Sequence, residues 1–367
     1  MASLAFLNDF KKTISKLENV NLDAKPPTFW YSTGNYAINR IISGSYLRGI
    51  PQGRVTAFVG PSDSGKSFLL SNTMKAAQDE GSFVLAIDSE NALDYNYLRR
   101  VGVKTDAEHF QGVGVVTVQD TVKVLSEFID GYIKAYGKYN TQAPTVLVCI
   151  DSISMLLTEA ENDNFESGEQ RGDQGQQAKQ IKHFLKTMTS RMKMTNMSLA
   201  VTAHVYAADP LKGEGAYSVT PALRYACSQI VLITKLRLRE EVGKEKEVIG
   251  IKLRAETFKS RFSKIGSKVE IEVPYDRGLD PLNGLLERLL DDEIVTQSGA
   301  WYTLSYETQT GEKIERKFMK RDLNQEIAEL CFNHPKLRER ESLFDGFNDA
   351  EEAGQTEQPV PQPTEEA

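Results

Sequence analysis

Eight consecutive residues carry the most specific chemistry in this sequence. Gly60-Pro61-Ser62-Asp63-Ser64-Gly65-Lys66-Ser67 fits the pattern G-x-x-x-x-G-K-[ST] at every fixed position. The two glycines let the backbone curl so that successive N–H groups converge on an anion, and a helix starting near Gly65 adds the positive end of its dipole. In that geometry the Lys66 ammonium reaches the β- and γ-phosphates of a nucleoside triphosphate, and the Ser67 hydroxyl is a ligand for Mg2+. Three further polar groups stand at the ends of apolar runs: Asp88-Ser89-Glu90 after Phe83–Ile87, Asp151 after Thr145–Ile150, and His204 after Ser198–Ala203. Glu90 suits the orientation or deprotonation of an attacking water, Asp151 the holding of Mg2+ through water, and His204 the sensing of a γ-phosphate. Each also has a plainer reading, Asp88 and Glu90 as helix caps and His204 as the partner of a loop carbonyl. Three such ends converging on one phosphate loop favour the chemical reading.

The elements that must position these groups follow from the apolar patterning. Val55–Val59 reads as the strand before the loop and Phe68–Gln78 as the helix after it. Further strands are expected at 83–87, 113–118, 145–150, 198–203 and 229–234, with helices at 94–101, 120–136 and 175–194. Val-, Ile- and Leu-rich strands alternating with helices predict an α/β fold: a mostly parallel sheet covered on both faces, with its site at the carboxyl ends of the strands. Lys235–Phe262 then alternates as an antiparallel hairpin with its turn at Glu245–Glu247, and Ser267–Val273 as another edge strand. Residues 282–344 read as a small α+β module: a helix, a hairpin through Thr310-Gly311, and a helical stretch interrupted at Pro335.

At the other end, Leu4, Leu7, Phe10, Ile14 and Leu17 form a helical stripe, set off from the body by the polar stretch Asn19–Pro27. Such a stripe is buried either on its own domain or on a neighbouring subunit. The expected organisation is 1–28 as an N-terminal helix and linker with either of those partners, 29–281 as the nucleotide-binding core, 282–344 as the small module, and 345–367 as an acidic, Pro-containing disordered tail.

The chain has 367 residues, 40% hydrophobic and 26% charged, an ordinary composition for a soluble protein. No apolar run approaches a membrane span and no signal-peptide pattern opens the chain, so a cytoplasmic protein without membrane association is expected. Cys149, Cys227 and Cys331 are too scattered for a disulfide framework or zinc site, and the four histidines show no metal-ligand spacing. Net charge is -7, but the seven acids of residues 345–367, with no Lys or Arg among them, leave the rest close to neutral. That distribution is compatible with local basic patches for a polyanion.

Taken together, the order of elements resembles a RecA-family recombinase over about Trp30 to Tyr302, and within it the bacteriophage UvsX type. The pieces that carry the resemblance are the phosphate loop, Ile-Asp-Ser-Glu-Asn-Ala-Leu-Asp at 87–94, Ile-Asp-Ser at 150–152, Gly-Leu-Asp-Pro-Leu-Asn-Gly-Leu-Leu at 278–286, and Gly-Ala-Trp-Tyr at 299–302. The resemblance implies a RecA-like core with an N-terminal polymerisation helix. It also implies an ATP- and Mg2+-dependent ATPase that forms helical filaments on single-stranded DNA and exchanges strands with homologous double-stranded DNA, in recombination and repair inside an infected host cell. It assigns Lys66 and Ser67 to phosphate and Mg2+, Glu90 to catalysis and Asp151 to the metal side. Asp94 and Tyr97 fall to the adenine, and His204 stands where many members have glutamine.

In that family basic residues of the neighbouring subunit touch the γ-phosphate, and Lys259 and Arg261 match their position; a solvated basic strand edge is the alternative. Two DNA-facing loops are implied at about 159–175 and 206–221. The first carries six acids against Arg171, so DNA contacts are expected from Arg171, Lys179 and Lys186, and from Lys212, Arg224 and Tyr225 of the second. Phage mediator and single-strand-binding proteins are further implied partners, and the acidic tail is expected to compete with DNA. A hexameric helicase sharing the core and a non-catalytic recombination accessory are the competing readings. The roughly thirty residues before the core count against the first, and intact Lys66, Glu90 and Asp151 against the second.

Overall fold

The computed structural model describes residues 6–16, 27–91, 93–168, 175–207, 217–242, 245–275, 278–308 and 310–345. Helix α1 (Phe6–Ile14) comes first; then β1 (Trp30–Tyr31) pairs with β2 (Ile50–Pro51) around α2 (Tyr36–Ser43). The nucleotide-motif half continues β3 (Val55–Gly60), α3 (Lys66–Asp79), β4 (Phe83–Asp88), α4 (Tyr95–Val101), β5 (Phe110–Gly114), α5 (Val118–Tyr136) and β6 (Val146–Asp151). Next come α6 (Glu159–Ser167), α7 (Gln176–Met192), β7 (Met197–His204), the short pair β8 (Tyr206–Ala207) and β9 (Tyr217–Ser218), and α8 (Pro221–Ala226). Three long strands follow, β10 (Gln229–Val242), β11 (Glu245–Ser260) and β12 (Lys268–Pro274).

These strands form one eight-stranded sheet in the order β12-β11-β10-β3-β7-β6-β4-β5, parallel from β10 to β5 and antiparallel at β11 and β12. Strands buried on both faces have no need to alternate polar residues, and every residue of Val55–Gly60 is buried. One face packs on α5 and α7 through Leu125, Ile129, Phe184, Leu185 and Met188. The other packs on α2, α3 and α4 through Ile38, Ile42, Leu69, Leu70 and Leu98. Burial of each such side chain contributes about 1.5–3 kcal/mol. The result is the expected RecA-like architecture, a mixed sheet between helices with extensions at both ends.

Local chemistry moved three expected boundaries. The run 113–118 was expected as a strand, but β5 ends at Gly114 and Val118 begins α5. The Thr117 hydroxyl accepts from the Asp120 N–H at 3.0 Å, capping the helix before the β-branched run can continue. Residues 159–175 were expected as a loop, but 159–167 are helix α6. Thr158 and Glu161 form a reciprocal cap, with Glu161 N to Thr158 Oγ1 at 3.1 Å and Thr158 N to Glu161 Oε2 at 2.7 Å. Glu245–Glu247 were expected at the hairpin turn but are paired in β11, the ladder running from Gln229↔Ser260 to Val242↔Glu245.

Beyond β12, α9 (Leu285–Asp291), β13 (Val295–Ser298), β14 (Trp301–Glu307), β15 (Lys313–Met319), α10 (Gln325–Phe332) and α11 (Pro335–Asp345) surround a separate cluster containing Leu289, Leu304, Phe318, Ile327 and Cys331. Pro335 starts a helix, where its missing N–H costs nothing. Tyr46 from the preceding body belongs to this cluster, and Arg40 grips Asp292 through two bonds of 2.6 and 2.8 Å. By contrast α1 buries none of its residues, leaving Phe6 64% and Phe10 52% exposed. No described helix is long and apolar enough to cross a membrane. The expected tail lies almost wholly outside the described residues.

Candidate functional site

Sheet register brings the sequence-predicted groups together. Gly60 at the end of β3 is the register partner of His204 on β7, and Asp88 at the end of β4 is that of Asp151 on β6. Gly60 must lack a side chain, because a Cβ there would run into the Ile233 carbonyl and the Ser64 hydroxyl. Gly65, at φ +96°, sits in the left-handed region and launches α3 with no side-chain cap. The first N–H groups of α3 therefore have no partner within the helix and point out of its N-terminus. Beside them the Ser64 hydroxyl is buried without a hydrogen-bond partner.

Lys66 is only 7% exposed and donates to the Pro61 carbonyl at 2.8 Å. Burial lowers its pKa, against the opposing pull of Asp151, Glu90 and Asp63. The Asp151 carboxyl is pushed up by burial, while hydrogen bonds from the Thr202 and Ser67 hydroxyls hold it down. Glu90 Oε1 lies 3.8 Å from His204 Nε2, and the His204 backbone N–H donates to Ser154 Oγ at 3.0 Å. Asp88 is structural: its two oxygens accept from Glu90 N (3.0 Å) and Leu93 N (2.8 Å), shaping the turn that presents Glu90. Ser89 ties β4 to β6, its hydroxyl donating to the Ser152 carbonyl at 2.6 Å and accepting from the Ser152 N–H at 3.0 Å. A cradle of free N–H groups, a buried ammonium, and hard oxygen donors on Ser67 and Asp151 form a donor set suited to a magnesium-bound polyphosphate.

Alongside α3 runs a groove of about 980 Å³ that includes Phe68, Asn72, Lys75, Tyr97, Arg100 and Tyr275. Tyr97 is half-buried on α4, and burial raises its pKa. Asp94 caps the same helix, accepting from Asn96 N at 2.7 Å and Tyr97 N at 3.2 Å. Sequence reasoning missed Tyr275, which is 70% exposed in this groove. Its only signal was an aromatic residue following Pro274 where an alternating strand stops.

The other predicted groups lie elsewhere. Lys179 and Lys186 are exposed on α7, with Lys182 between them. The Lys182 ammonium stands 5.5 Å from the Tyr225 ring, which is 72% exposed, and the Arg224 guanidinium 5.2 Å from that of Phe258. Arg171 and Lys212 lie outside the described residues. Lys259 and Arg261 are at the amino edge of the sheet, since Lys259 pairs in register with Ile230 and Gln229 with Thr56. The Lys259 ammonium donates to the carbonyls of Arg224 and Cys227 (2.7 Å to the latter), so it caps α8. The histidines were expected to offer no metal-ligand grouping, yet ligand atoms of Asp106, Glu108 and His109 fall within 4.8 Å of one another on the surface. Asp106 there accepts from Glu108 N and contacts His109 Nδ1 at 2.6 Å, which accounts for the grouping as a closed turn.

The chain is similar to "Protein RecA" of Oleidesulfovibrio alaskensis, 26% identical over 301 residues covering 79% of each chain. It is similar to "Protein RecA" of Cutibacterium acnes, 26% identical over 338 residues, 89% of this chain and 88% of that one. To "Protein RecA" of Corynebacterium urealyticum it is 28% identical over 332 residues, 88% of this chain and 80% of that one. The family model described as the RecA N-terminal domain matches residues 7–280, most of the chain and all of the eight-stranded sheet, and the chain belongs to the RecA family.

Proposed function

We propose that this protein is an ATP-dependent DNA strand-exchange recombinase of the bacteriophage UvsX type, assembling in helical filaments on single-stranded DNA. Family membership implies ATP and Mg2+ use, DNA binding and self-association in general. The observation that carries the finer reading is the separation of the two charged sites across the sheet. The phosphate loop leaves the carboxyl end of β3, whereas Lys259 and Arg261 sit beside its amino end. Thr56 to Gly60 alone spans about 13 Å at about 3.3 Å per residue. A triphosphate on this chain's loop is therefore out of reach of its own amino-edge cations, and head-to-tail stacking of copies would bring the two edges together.

In this reading Lys66 and the loop N–H groups hold the phosphates, and Ser67 and Asp151 hold Mg2+. Bound Mg2+ supplies charge that stabilises the leaving oxygen. Glu90 orients the attacking water and accepts its proton as the bond from the γ-phosphorus to the bridging oxygen breaks. His204, adjacent to both Gly60 and Glu90, senses whether the γ-phosphate is present. The adenine lies between Tyr97 and Tyr275. The exposed Phe6 and Phe10 of α1 are covered by the neighbouring copy. Lys179, Lys182, Lys186, Arg224 and Tyr225 supply cations and a stacking surface for single-stranded DNA.

Electron microscopy with a slowly hydrolysed ATP analogue and single-stranded DNA tests the assembly, and transfer of a labelled strand from a homologous duplex tests the reaction. Helical filaments with strand transfer are expected. Closed rings, or particles that stay monomeric with every nucleotide, would overturn the proposal.

A further inference from the structure

Several guanidinium groups among the described residues, half-buried or exposed, have an acid beside them. Arg40 meets Asp292 at 2.6 Å, Arg254 meets Glu270, and Arg191 meets Asp130. Arg54 departs from that pattern. It is half-buried, immediately before β3, and makes no side-chain hydrogen bond or ion pair among the described residues. Arg261 is likewise without a side-chain partner among the described residues, and it is exposed.

The backbone fixes these two residues at the same edge. Leu199 N donates to the Arg54 carbonyl at 3.0 Å, Ser228 N to the Val55 carbonyl at 2.9 Å, and Arg261 N to the Ser228 carbonyl at 3.1 Å. Burial, and then the positive charge of Arg261, hold the Arg54 guanidinium below its ordinary pKa. Lys259 adds a third positive charge close to Arg261, but its ammonium is already bound to two carbonyls. Of these three, Arg54 and Arg261 are the ones left without a side-chain partner among the described residues.

Like charges that are partly desolvated and lack a counter-ion cost folding free energy. A structure that keeps them has two guanidinium forks able to take an anion from outside the chain, and such forks match phosphate oxygens better than an ammonium does. We propose that Arg54 acts with Arg261 as a second guanidinium that binds the triphosphate held on the phosphate loop of the neighbouring copy. This rests on the reading that nucleotide sites are completed between copies, and it assigns a contact to a residue outside the Lys259–Arg261 pair.

The test compares full-length Arg54→Gln, Arg54→Lys and Arg261→Gln with the wild type. The readouts are ATP turnover on saturating single-stranded DNA, assembly by sedimentation with ADP or with an ATP analogue, and Tm of the DNA-free protein. Arg54→Gln is expected to keep or raise Tm, because it removes a repulsion. It should lower turnover roughly tenfold or more and lose assembly only where the γ-phosphate is present, with Arg54→Lys recovering part of both.

Wild-type turnover in Arg54→Gln with a defect in Arg261→Gln would overturn this assignment and leave the inter-copy reading standing. Wild-type turnover in both would overturn the two together. Equal loss of assembly with ADP and with the analogue would make Arg54 a protein–protein contact instead. A Tm lowered by several degrees in Arg54→Gln would make its role structural.

Discussion

The two edges of the central sheet are built on opposite electrostatic plans. At the carboxyl edge opposite charges are close together: Lys66 lies within reach of Asp151, Glu90 and Asp63, and Glu90 faces His204. At the amino edge Arg54 and Arg261 repel each other, and neither has an acid paired with it among the described residues. A self-satisfied site can fold and hold a ligand alone, whereas an unbalanced one is stabilised only when something negative arrives. That asymmetry makes a polymer coupled to its nucleotide intelligible, because the anion that relieves one copy's amino edge is the one bound at the next copy's carboxyl edge.

The comparison can be broken most forcefully at the carboxyl edge. Lys66→Ala is expected to reduce ATP turnover by roughly a thousandfold or more, since the phosphates lose their main charge, with binding measured by fluorescent-nucleotide titration. Glu90→Gln should slow hydrolysis by about 10²–10⁴ in single-turnover assays while nucleotide binding and filaments persist. Asp151→Asn sharpens the contrast. Burial holds this carboxyl above its ordinary pKa, so its ionised form weakens the fold as pH rises through that pKa. In Mg2+-free buffer near neutral pH the variant should match or exceed the wild-type Tm while losing Mg2+-dependent turnover.

Asp292→Asn leaves both edges intact and serves as the control. Asp292 resists burial through Arg40 and Tyr46, which hold its pKa below the ordinary value. That stability is present above about pH 4 and is lost as pH falls through the lowered folded value. The variant should cost about 3 kcal/mol at pH 7 by urea denaturation, lose the steep acid limb, and keep wild-type turnover per folded molecule.

Most of the carboxyl edge was legible in the sequence, because each of its groups terminates an apolar strand and the chain names the end of every strand. Gly60, Asp88, Asp151 and His204 became register neighbours as that pattern requires. What escaped was chemistry spread over residues with no periodic signal. Thr158-x-x-Glu161 was a readable helix start at the head of a stretch that the family resemblance made a loop. Tyr275 reaches the groove only because the sheet's last antiparallel strand ends there. Arg54 carried no motif or periodic signal, and its unbalanced charge exists only once Ser228 bridges β3 to the end of β11. For Lys259 the sequence indicated an antiparallel strand, which became β11 between β10 and β12, but could not reveal that its ammonium would cap α8.

Mixing two inactive variants tests the central claim most directly. Lys66→Ala retains the amino-edge cations without a working phosphate loop, and Arg261→Gln retains the loop without that cation. Each alone should be nearly inactive on single-stranded DNA. Equal amounts combined should recover about a quarter of wild-type turnover if copies associate head to tail at random. A mixture no more active than its separate components would contradict a nucleotide site completed between copies.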